Sequence, residues 1–236
     1  FDEARFVIDR IQDWVAQGHA RAECAVLYRS NAQSRLFEER LINEGIPYRV
    51  YGGLRFFERA EIKDALAYLR LMASRHNDPS FERVVNLPTR GIGAKTVDAM
   101  RERAKGEKIS MWEAAQKLLA SSELPARARE ALNVFLQLIE RLARETAGLT
   151  LGEVVEHMLA GSGLIEHYKK EKGEKAESRV ENLEELINAA RGYEHDEAEG
   201  LDPLSSFLAH AALEAGEGQA EAWEDCVQLM SLHSAK

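Results

Sequence analysis

The residues best suited to chemistry lie in one short motif, Leu87 to Thr96, which reads LPTRGIGAKT. Its two glycines allow a tight turn whose main chain can approach a partner closely, while Ile92 fills the core beneath. The helix that we predict to begin at Ala94 offers unpaired N–H groups and the positive end of its dipole to a phosphate. This pattern predicts a helix-hairpin-helix that holds the backbone of duplex DNA without reading its sequence. The candidate contact residues are Arg90, Gly91, Ile92, Gly93, Lys95 and Thr96.

The alternative for this motif is a glycine turn that joins two helices and binds nothing. The distribution of charge favours binding. The whole chain has a net charge of −9, yet residues 81–150 carry 12 basic and 9 acidic residues, a balance of +3. Residues 181–236 carry 13 acidic and 2 basic residues, a balance of −11. Only a local basic patch in the middle of the chain can therefore bind phosphates.

A second set of polar residues follows two apolar runs that we predict to be buried strands. Arg29, Ser30 and Asn31 come after the run AVLY and supply a cation, a hydroxyl and an amide, which suit sugar-phosphate contacts. His233 comes shortly after the run CVQLM. Because ligands of parallel sheets bind at the carboxyl ends of the strands, the two clusters together favour a binding edge. The alternative is that Ser30 and Asn31 only cap a helix.

The sequence predicts no catalytic residue and no metal site. It contains no G-x-x-x-x-G-K-[ST] loop for nucleotide phosphates, and the short GSG at 161–163 is better explained as a link between helices. None of the seven histidines has a metal-ligand spacing such as H-E-x-x-H. Cys24 and Cys226 match no metal or redox spacing, which favours buried free thiols in a reducing cytoplasm. No apolar run approaches the ~20 residues of a membrane span.

Apolar spacing predicts an α/β portion built from both ends of the chain. Residues 3–17 and 34–44 have helical spacing, and short apolar runs at 25–28, 47–51 and 226–230 are typical of strands. The order helix–strand–helix–strand indicates a parallel sheet. Because two strands cannot form a stable covered sheet, we expect the third run to join them.

The region between these parts, about 58–213, has helical apolar spacing almost throughout. The sequences SMWE at 110–113 and TLGE at 150–153 are capping boxes, and each opens an apolar periodic run. The predicted fold is therefore mostly α, with an all-α domain that carries the GIG turn inserted into a partial α/β domain of about three parallel strands. One further predicted helical stripe consists of Leu132, Phe135, Leu136, Ile139 and Leu142.

Taken in order, these motifs resemble those of UvrD/Rep/PcrA-type superfamily 1 DNA helicases, the UvrD members above all. VLYRSNAQSR at 26–35 is similar to the segment that opens the second motor domain of the family, and YGGLRFFE at 51–58 to the passage into an inserted accessory domain. TRGIG at 89–93 and RVENLEEL at 179–186 resemble later signatures of that insert. VQLMSLHSAK at 227–236 resembles the first half of a motif that continues G-L-E-F in the family.

The resemblance implies two domains and a joint between them. It places a RecA-like motor domain, 2A, at 1–53 and 222–236 and a helical accessory domain, 2B, at 54–221. Gly52 and Gly53, together with the segment 214–225, would form the hinge about which the insert rotates.

The resemblance also implies a function. Members of the family move 3′ to 5′ along one DNA strand and separate the duplex, using Mg-ATP, in DNA repair and replication. By this resemblance Arg29, Asn31 and His233 contact single-stranded DNA, while the GIG turn grips the duplex together with Arg90 and Thr96. DNA repair proteins are further expected partners, and no membrane is.

The sequence lacks the family's motifs for ATP, namely the phosphate-binding loop, the Asp-Glu pair for Mg²⁺ and the arginines that reach the γ-phosphate. We therefore expect a helicase fragment that binds no cofactor and does not hydrolyse ATP by itself. A competing interpretation is a protein-interaction or autoregulatory module, because the acidic stretch 181–225 is unsuited to DNA. A third, a stand-alone repair glycosylase with a hairpin motif, requires a catalytic carboxylate or lysine in a pocket, and the sequence places none.

Overall fold

The chain divides into two compact units, described by a computed structural model that covers residues 2–121, 123–195, 200–216, 220 and 223–235. The first unit consists of Phe1–Ala60 with Ala211–Lys236, and the second unit of Glu61–His210. The resemblance places the domain boundaries after Gly53 and before residue 222, and this assignment stays a prediction. In the described part of the chain, no helix combines the length and the apolar character needed to cross a membrane.

The first unit contains a small parallel sheet, as predicted. Its strands lie in the order β1-β3-β2, and β3 pairs in parallel with both neighbours. The third strand therefore comes from the far end of the chain and occupies the centre. The elements of this part are α1 (Asp2–Ala16), β1 (Ala25–Tyr28), α2 (Ser34–Asn43), β2 (Tyr48–Tyr51) and β3 (Val227–Ser231).

The core of the first unit is centred on Leu229 of β3. Val26 of β1 and Val50 of β2 lie opposite Leu229 in the two registers. These three side chains point to the same face of the sheet, because they are in matching register on neighbouring strands. All three are buried. Ile8 of α1 and Leu41 of α2 are fully buried in the same cluster. The two predicted amphipathic helices thus contribute apolar side chains to the core of the sheet.

The other regular elements of the described chain are helices. Two of its helices begin at the predicted capping boxes, in which the Ser110 hydroxyl is paired with Glu113 and the Thr150 hydroxyl with Glu153. The helices are α3 (Ala60–Ala73), α4 (Asp78–Val84), α5 (Ala94–Glu107), α6 (Met111–Ala120), α7 (Ala126–Glu145), α8 (Leu151–Ser162), α9 (Leu164–Lys169), α10 (Glu174–Gly192) and α11 (Pro203–Gly216).

The core of the second unit contains a cluster of aromatic rings. Phe81 of α4 is fully buried and packs edge-to-face against Phe135 of α7 and Trp112 of α6, with ring centroids 5.5 Å and 6.2 Å away. Such perpendicular pairs stabilise beyond their buried area. The predicted stripe on α7 is confirmed, since all five of its apolar side chains are buried.

Two glycines allow helices of the second unit to pack closely. A Cβ on Gly161 of α8 would lie 2.5 Å from Cδ2 of Leu142, and a Cβ on Gly152 would lie 2.3 Å from Cγ of Arg191. Neither glycine has a positive φ. They are therefore explained by the space that the neighbouring helices α7 and α10 occupy, and not by a special backbone conformation.

We expect Gly161→Ala to destabilise the second unit, because the added methyl group would overlap Leu142, which is fully buried. Overpacking costs about 1–3 kcal/mol, more than the roughly 0.5–1 kcal/mol that alanine gains over glycine in a helix. Gly106→Ala in α5 is the matched control and should stabilise, since nothing lies within 4 Å of its Cβ position. Urea unfolding measures both free energies. Equal stability of the two variants would contradict the close packing.

Candidate nucleic-acid interface

The predicted hairpin lies between α4 and α5. Gly91 has a φ of +87°, a conformation that favours glycine, and both Gly91 and Gly93 are exposed. Ile92 between them is only 1% exposed, which confirms that its side chain fills the core beneath the turn. The hairpin thus presents main chain to the outside and an apolar anchor to the inside.

The shape of the hairpin depends on Asn86, a residue that the sequence reasoning missed. Its Oδ1 accepts hydrogen bonds from the main-chain N–H groups of Arg90, at 2.8 Å, and Ile92, at 3.2 Å. These are the residues on either side of Gly91. An asparagine shortly before a glycine turn is the available signal, because its side chain often bonds main-chain N–H groups in turns.

Arg90 directs its guanidinium into the protein. Its Nη1 donates to the carbonyl oxygens of Val84, at 3.2 Å, and Pro88, at 2.9 Å. Its Nη2 donates to the carbonyl oxygen of Ser162, at 3.2 Å, and to the hydroxyl of Tyr68. Arginine carries five N–H donors in a rigid fork, and here the fork joins the hairpin to α3 and to the end of α8. The charge predicted to meet phosphate is therefore used to fix the turn.

The first turn of α5 keeps main-chain donors available. Gly93 is the N-cap and supplies no side-chain cap, while its carbonyl accepts from the N–H of Thr96 at 3.0 Å. Thr96 itself is buried. Lys95 is exposed and, like Lys105 further along α5, forms no ion pair with any described residue. A helix start with free N–H groups and a nearby lysine suits an anion.

The arginines that follow the hairpin are paired within the protein. Arg101 forms ion pairs with Glu82, at 2.8 Å, and Asp98, at 2.7 Å, and Arg103 forms one with Glu123 at 2.6 Å. These two arginines are thus compensated by carboxylates of the same region and do not present unpaired positive charge. Exposed pairs of this kind contribute little to stability, so that a phosphate could compete for the arginines.

The carboxyl ends of β1 and β3 bring the second set of candidate residues to one edge of the sheet. Leu232 donates its N–H to the carbonyl of Tyr28 at 2.9 Å, which continues the pairing past the end of both strands. Arg29, Asn31 and His233 follow directly and are all exposed. The polar residues that the sequence singles out thus lie on adjacent turns.

Ser30 caps the short helical turn that follows β1. Its hydroxyl accepts from the N–H of Ala32 at 3.4 Å, and Oε1 of Gln33 accepts from the N–H groups of Arg29 and Ser30 at 3.0 and 3.1 Å. The capping role considered for Ser30 is therefore present. It fixes the main chain of this turn and leaves the side chain of Arg29 exposed.

Arg59 is a buried arginine that sequence reasoning missed. It donates to the carbonyl oxygens of Asn31, at 2.9 Å, and Leu54, at 3.2 Å, and to the hydroxyl of Ser34 at 2.6 Å. Glu38, 3.8 Å from Arg59, also accepts from Ser34 at 2.6 Å. Burial raises the pKa of Glu38, although the hydrogen bond from Ser34 and the charge of Arg59 oppose the shift. This buried network holds the turn after β1 in place.

Gly52 follows β2 and contacts the turn after β3. Its φ is +75°, and a Cβ would lie 2.4 Å from Oγ of Ser234. Ser234 in turn bonds the hydroxyl of Ser231 at 3.0 Å. Gly53 has open space around its Cβ position and no positive φ. The hinge role predicted for the two glycines stays a prediction, whereas the close approach at Gly52 explains a glycine there directly.

No metal site is found in the described ranges, where no three His, Cys, Asp or Glu side chains come close enough to hold an ion. Cys24 is half-buried and Cys226 is buried, and both are free thiols. Burial raises the pKa of each thiol. Neither cysteine is therefore activated as a nucleophile.

Comparison with known proteins identifies what the chain resembles. Residues 1–236 match the family described as UvrD-like helicase C-terminal domain. The chain is 56% identical to DNA helicase II of Escherichia coli (strain K12) and 52% identical to DNA helicase II of Haemophilus influenzae, over its whole length. It is 36% identical to the ATP-dependent DNA helicase PcrA of Staphylococcus aureus (strain Mu50). The chain spans about a third of the length of these relatives, 32–33%.

We expect Gly52→Ala to displace the turn after β3, because the methyl group would overlap Ser234 and the positive φ disfavours alanine. The two effects together should cost about 1–3 kcal/mol of unfolding free energy of the first unit. Hydrogen exchange at Leu232 and Ser234 should quicken. Gly53→Ala is the control and should leave both measurements unchanged. If the two variants behave alike, Gly52 is not needed for this packing.

Proposed function

The chain belongs to the family of UvrD-like helicase C-terminal domains, and on that premise we propose that it is the DNA-handling part of an ATP-dependent 3′-to-5′ DNA helicase. The helicase would act in the cytoplasm in DNA repair and replication. In this proposal the first unit belongs to motor domain 2A and the second unit to accessory domain 2B. The part would bind DNA and regulate unwinding, with repair proteins as further partners.

The observation that carries the duplex-binding role is the exposed main chain of the hairpin. Gly91 and Gly93 lie at the surface above the buried Ile92. A glycine turn of this kind lets a sugar-phosphate backbone approach without a side chain in between. The start of α5 adds the positive end of a helix dipole, and Lys95 adds a full charge.

The candidate residues divide into two roles in this proposal. Gly91, Gly93 and Lys95 contact the phosphates, because they are exposed. Arg90, Ile92 and Thr96 act from beneath. Arg90 is engaged by carbonyl groups of the protein, and the other two side chains are buried. The grip on the duplex is then sequence-independent, as main-chain and lysine contacts to phosphate carry no base information.

We assign the single strand to the edge of the parallel sheet. Arg29, Asn31 and His233 lie on adjacent exposed turns at the carboxyl ends of β1 and β3. A cation, an amide and an imidazole can all bond phosphate or sugar oxygens. Gly52 contributes by letting the turn that carries His233 pack closely.

ATP hydrolysis is assigned to the parent helicase and not to this chain alone. The relatives from Staphylococcus aureus are named ATP-dependent DNA helicases. Phosphoryl transfer needs a phosphate-binding loop and acidic ligands for Mg²⁺, and this sequence contains neither motif. We therefore propose that Mg-ATP binds with the help of the remainder of the parent protein.

A protein-interaction or autoregulatory module is the second candidate function. It is favoured by the −11 balance of residues 181–236 and by the internal pairing of Arg101 and Arg103. Both features weaken the attraction between the chain and DNA. In this case partners would bind through the acidic stretch, and duplex DNA would bind weakly or not at all.

Lys95→Gln should weaken duplex binding about threefold to tenfold at low salt and reduce the salt slope of log K by about 1, because one phosphate contact is lost. Lys175→Gln on α10 is the matched control, since Lys175 is another exposed lysine of the second unit. Fluorescence anisotropy of the 236-residue chain with a labelled DNA hairpin, at several salt concentrations, measures both. Equal losses in the two variants, or binding that does not depend on salt, would reject the proposed grip.

A further inference from the structure

We infer that Asn86 is the positioning residue of the duplex-binding hairpin: its side-chain carbonyl oxygen sets the turn so that the N–H groups of Gly91 and Gly93 remain available to a phosphate. The inference rests on the proposed function. Asn86 itself would not touch DNA and would act entirely through the main chain of its neighbours.

Along the hairpin, main-chain N–H groups that are hydrogen-bonded alternate with N–H groups that are not. Those of Arg90 and Ile92 donate to Oδ1 of Asn86, at 2.8 Å and 3.2 Å. Those of Gly91 and Gly93 find no acceptor among the residues that the structure describes. One oxygen thus takes up every second donor of the turn and leaves the other two free. Free main-chain N–H groups in turns and at helix starts are the donors that bind anions.

The first donor to Asn86, the N–H of Arg90, is held in place by the Arg90 side chain. Arg90 anchors the turn by bonding the carbonyl groups at 84, 88 and 162. Its guanidinium carbon lies 5.4 Å from the ring centroid of Phe135 and 5.8 Å from that of Tyr68. The N–H of Arg90 is therefore held at a defined place, and Asn86 can bridge from it to Ile92 across Gly91.

The presence of asparagine and not aspartate at position 86 is consistent with a DNA phosphate nearby. A carboxylate would accept the two N–H groups more strongly than an amide does, since charge-assisted hydrogen bonds are about twice as strong. For the hairpin alone aspartate would thus serve as well or better. Next to a DNA phosphate, however, its negative charge is unfavourable. A neutral acceptor with two lone pairs satisfies both demands, and asparagine supplies it.

Two substitutions separate the effects of shape and charge. Asn86→Leu has a similar size but lacks the acceptor, and it should free the N–H groups of Arg90 and Ile92. We expect faster hydrogen exchange at these two positions and about a tenfold loss of duplex affinity, with an unchanged salt slope because no charge is altered. Asn86→Asp keeps the acceptor. It should retain slow exchange and lose affinity only at low salt, where its charge is unscreened.

The measurements are amide hydrogen exchange by NMR and anisotropy with a DNA hairpin, on the 236-residue chain, together with the unfolding temperature. A wild-type chain without salt-dependent duplex binding would overturn the proposed function and the inference with it. Wild-type binding, with Asn86→Leu binding equally well, would overturn the inference alone. Should Asn86→Leu fail to fold, Asn86→Asp decides. The inference requires wild-type affinity of this variant at high salt, and a weaker affinity there would contradict it.

Discussion

Hydrogen bonds to the central strand β3 are the interaction on which the first unit depends. β1 and β2 do not pair with each other, and each is bonded to β3 instead. The same strand supplies Leu229 to the core and carries the turn with His233. Without β3 the two other strands would have neither a partner nor a covered face, and the polar residues after β1 would have no neighbouring cluster. The fold of this unit and the placement of the candidate single-strand site therefore both depend on β3.

In the second unit, polar side chains that bond to the protein itself determine which groups of the hairpin face the solvent. Asn86 accepts from the main chain of the hairpin, and Arg90 donates to groups beneath it, so that the glycine main chain and one lysine are exposed. The same holds in the first unit, where Arg59 bonds the carbonyl of Asn31 from beneath. In both units an arginine beneath the turn is paired with carbonyl oxygens and holds the turn above it in place. For the buried Arg59, these bonds also offset the cost of burial.

The sequence predicted those features that depend on local spacing. The strands, the capping box at Ser110 and the apolar stripe of α7 follow from periodicity and turn chemistry, and all are present. The burial of Ile92 was predicted in the same way. The direction of the Arg90 side chain was not predicted, because a charged residue in a loop is expected to be exposed. One of its acceptors, the carbonyl of Ser162, also lies far along the chain. The pairing of Arg101 with Glu82 escaped prediction for the same reason, since spacing tells which face a residue takes but not which partner it meets.

The position of β3 also affects the order in which the chain can fold during translation. Residues 61–210 form a unit with its own core, and all of them leave the ribosome before β3 is made. Domains generally fold as they are synthesised. This helical unit can therefore become compact while β1 and β2 are still unpaired, because β3 has not yet been made. Unpaired strand edges attract other chains. The nascent chain is thus exposed to aggregation between the synthesis of β2 and that of β3, and this is the interval in which binding by a chaperone would protect it most.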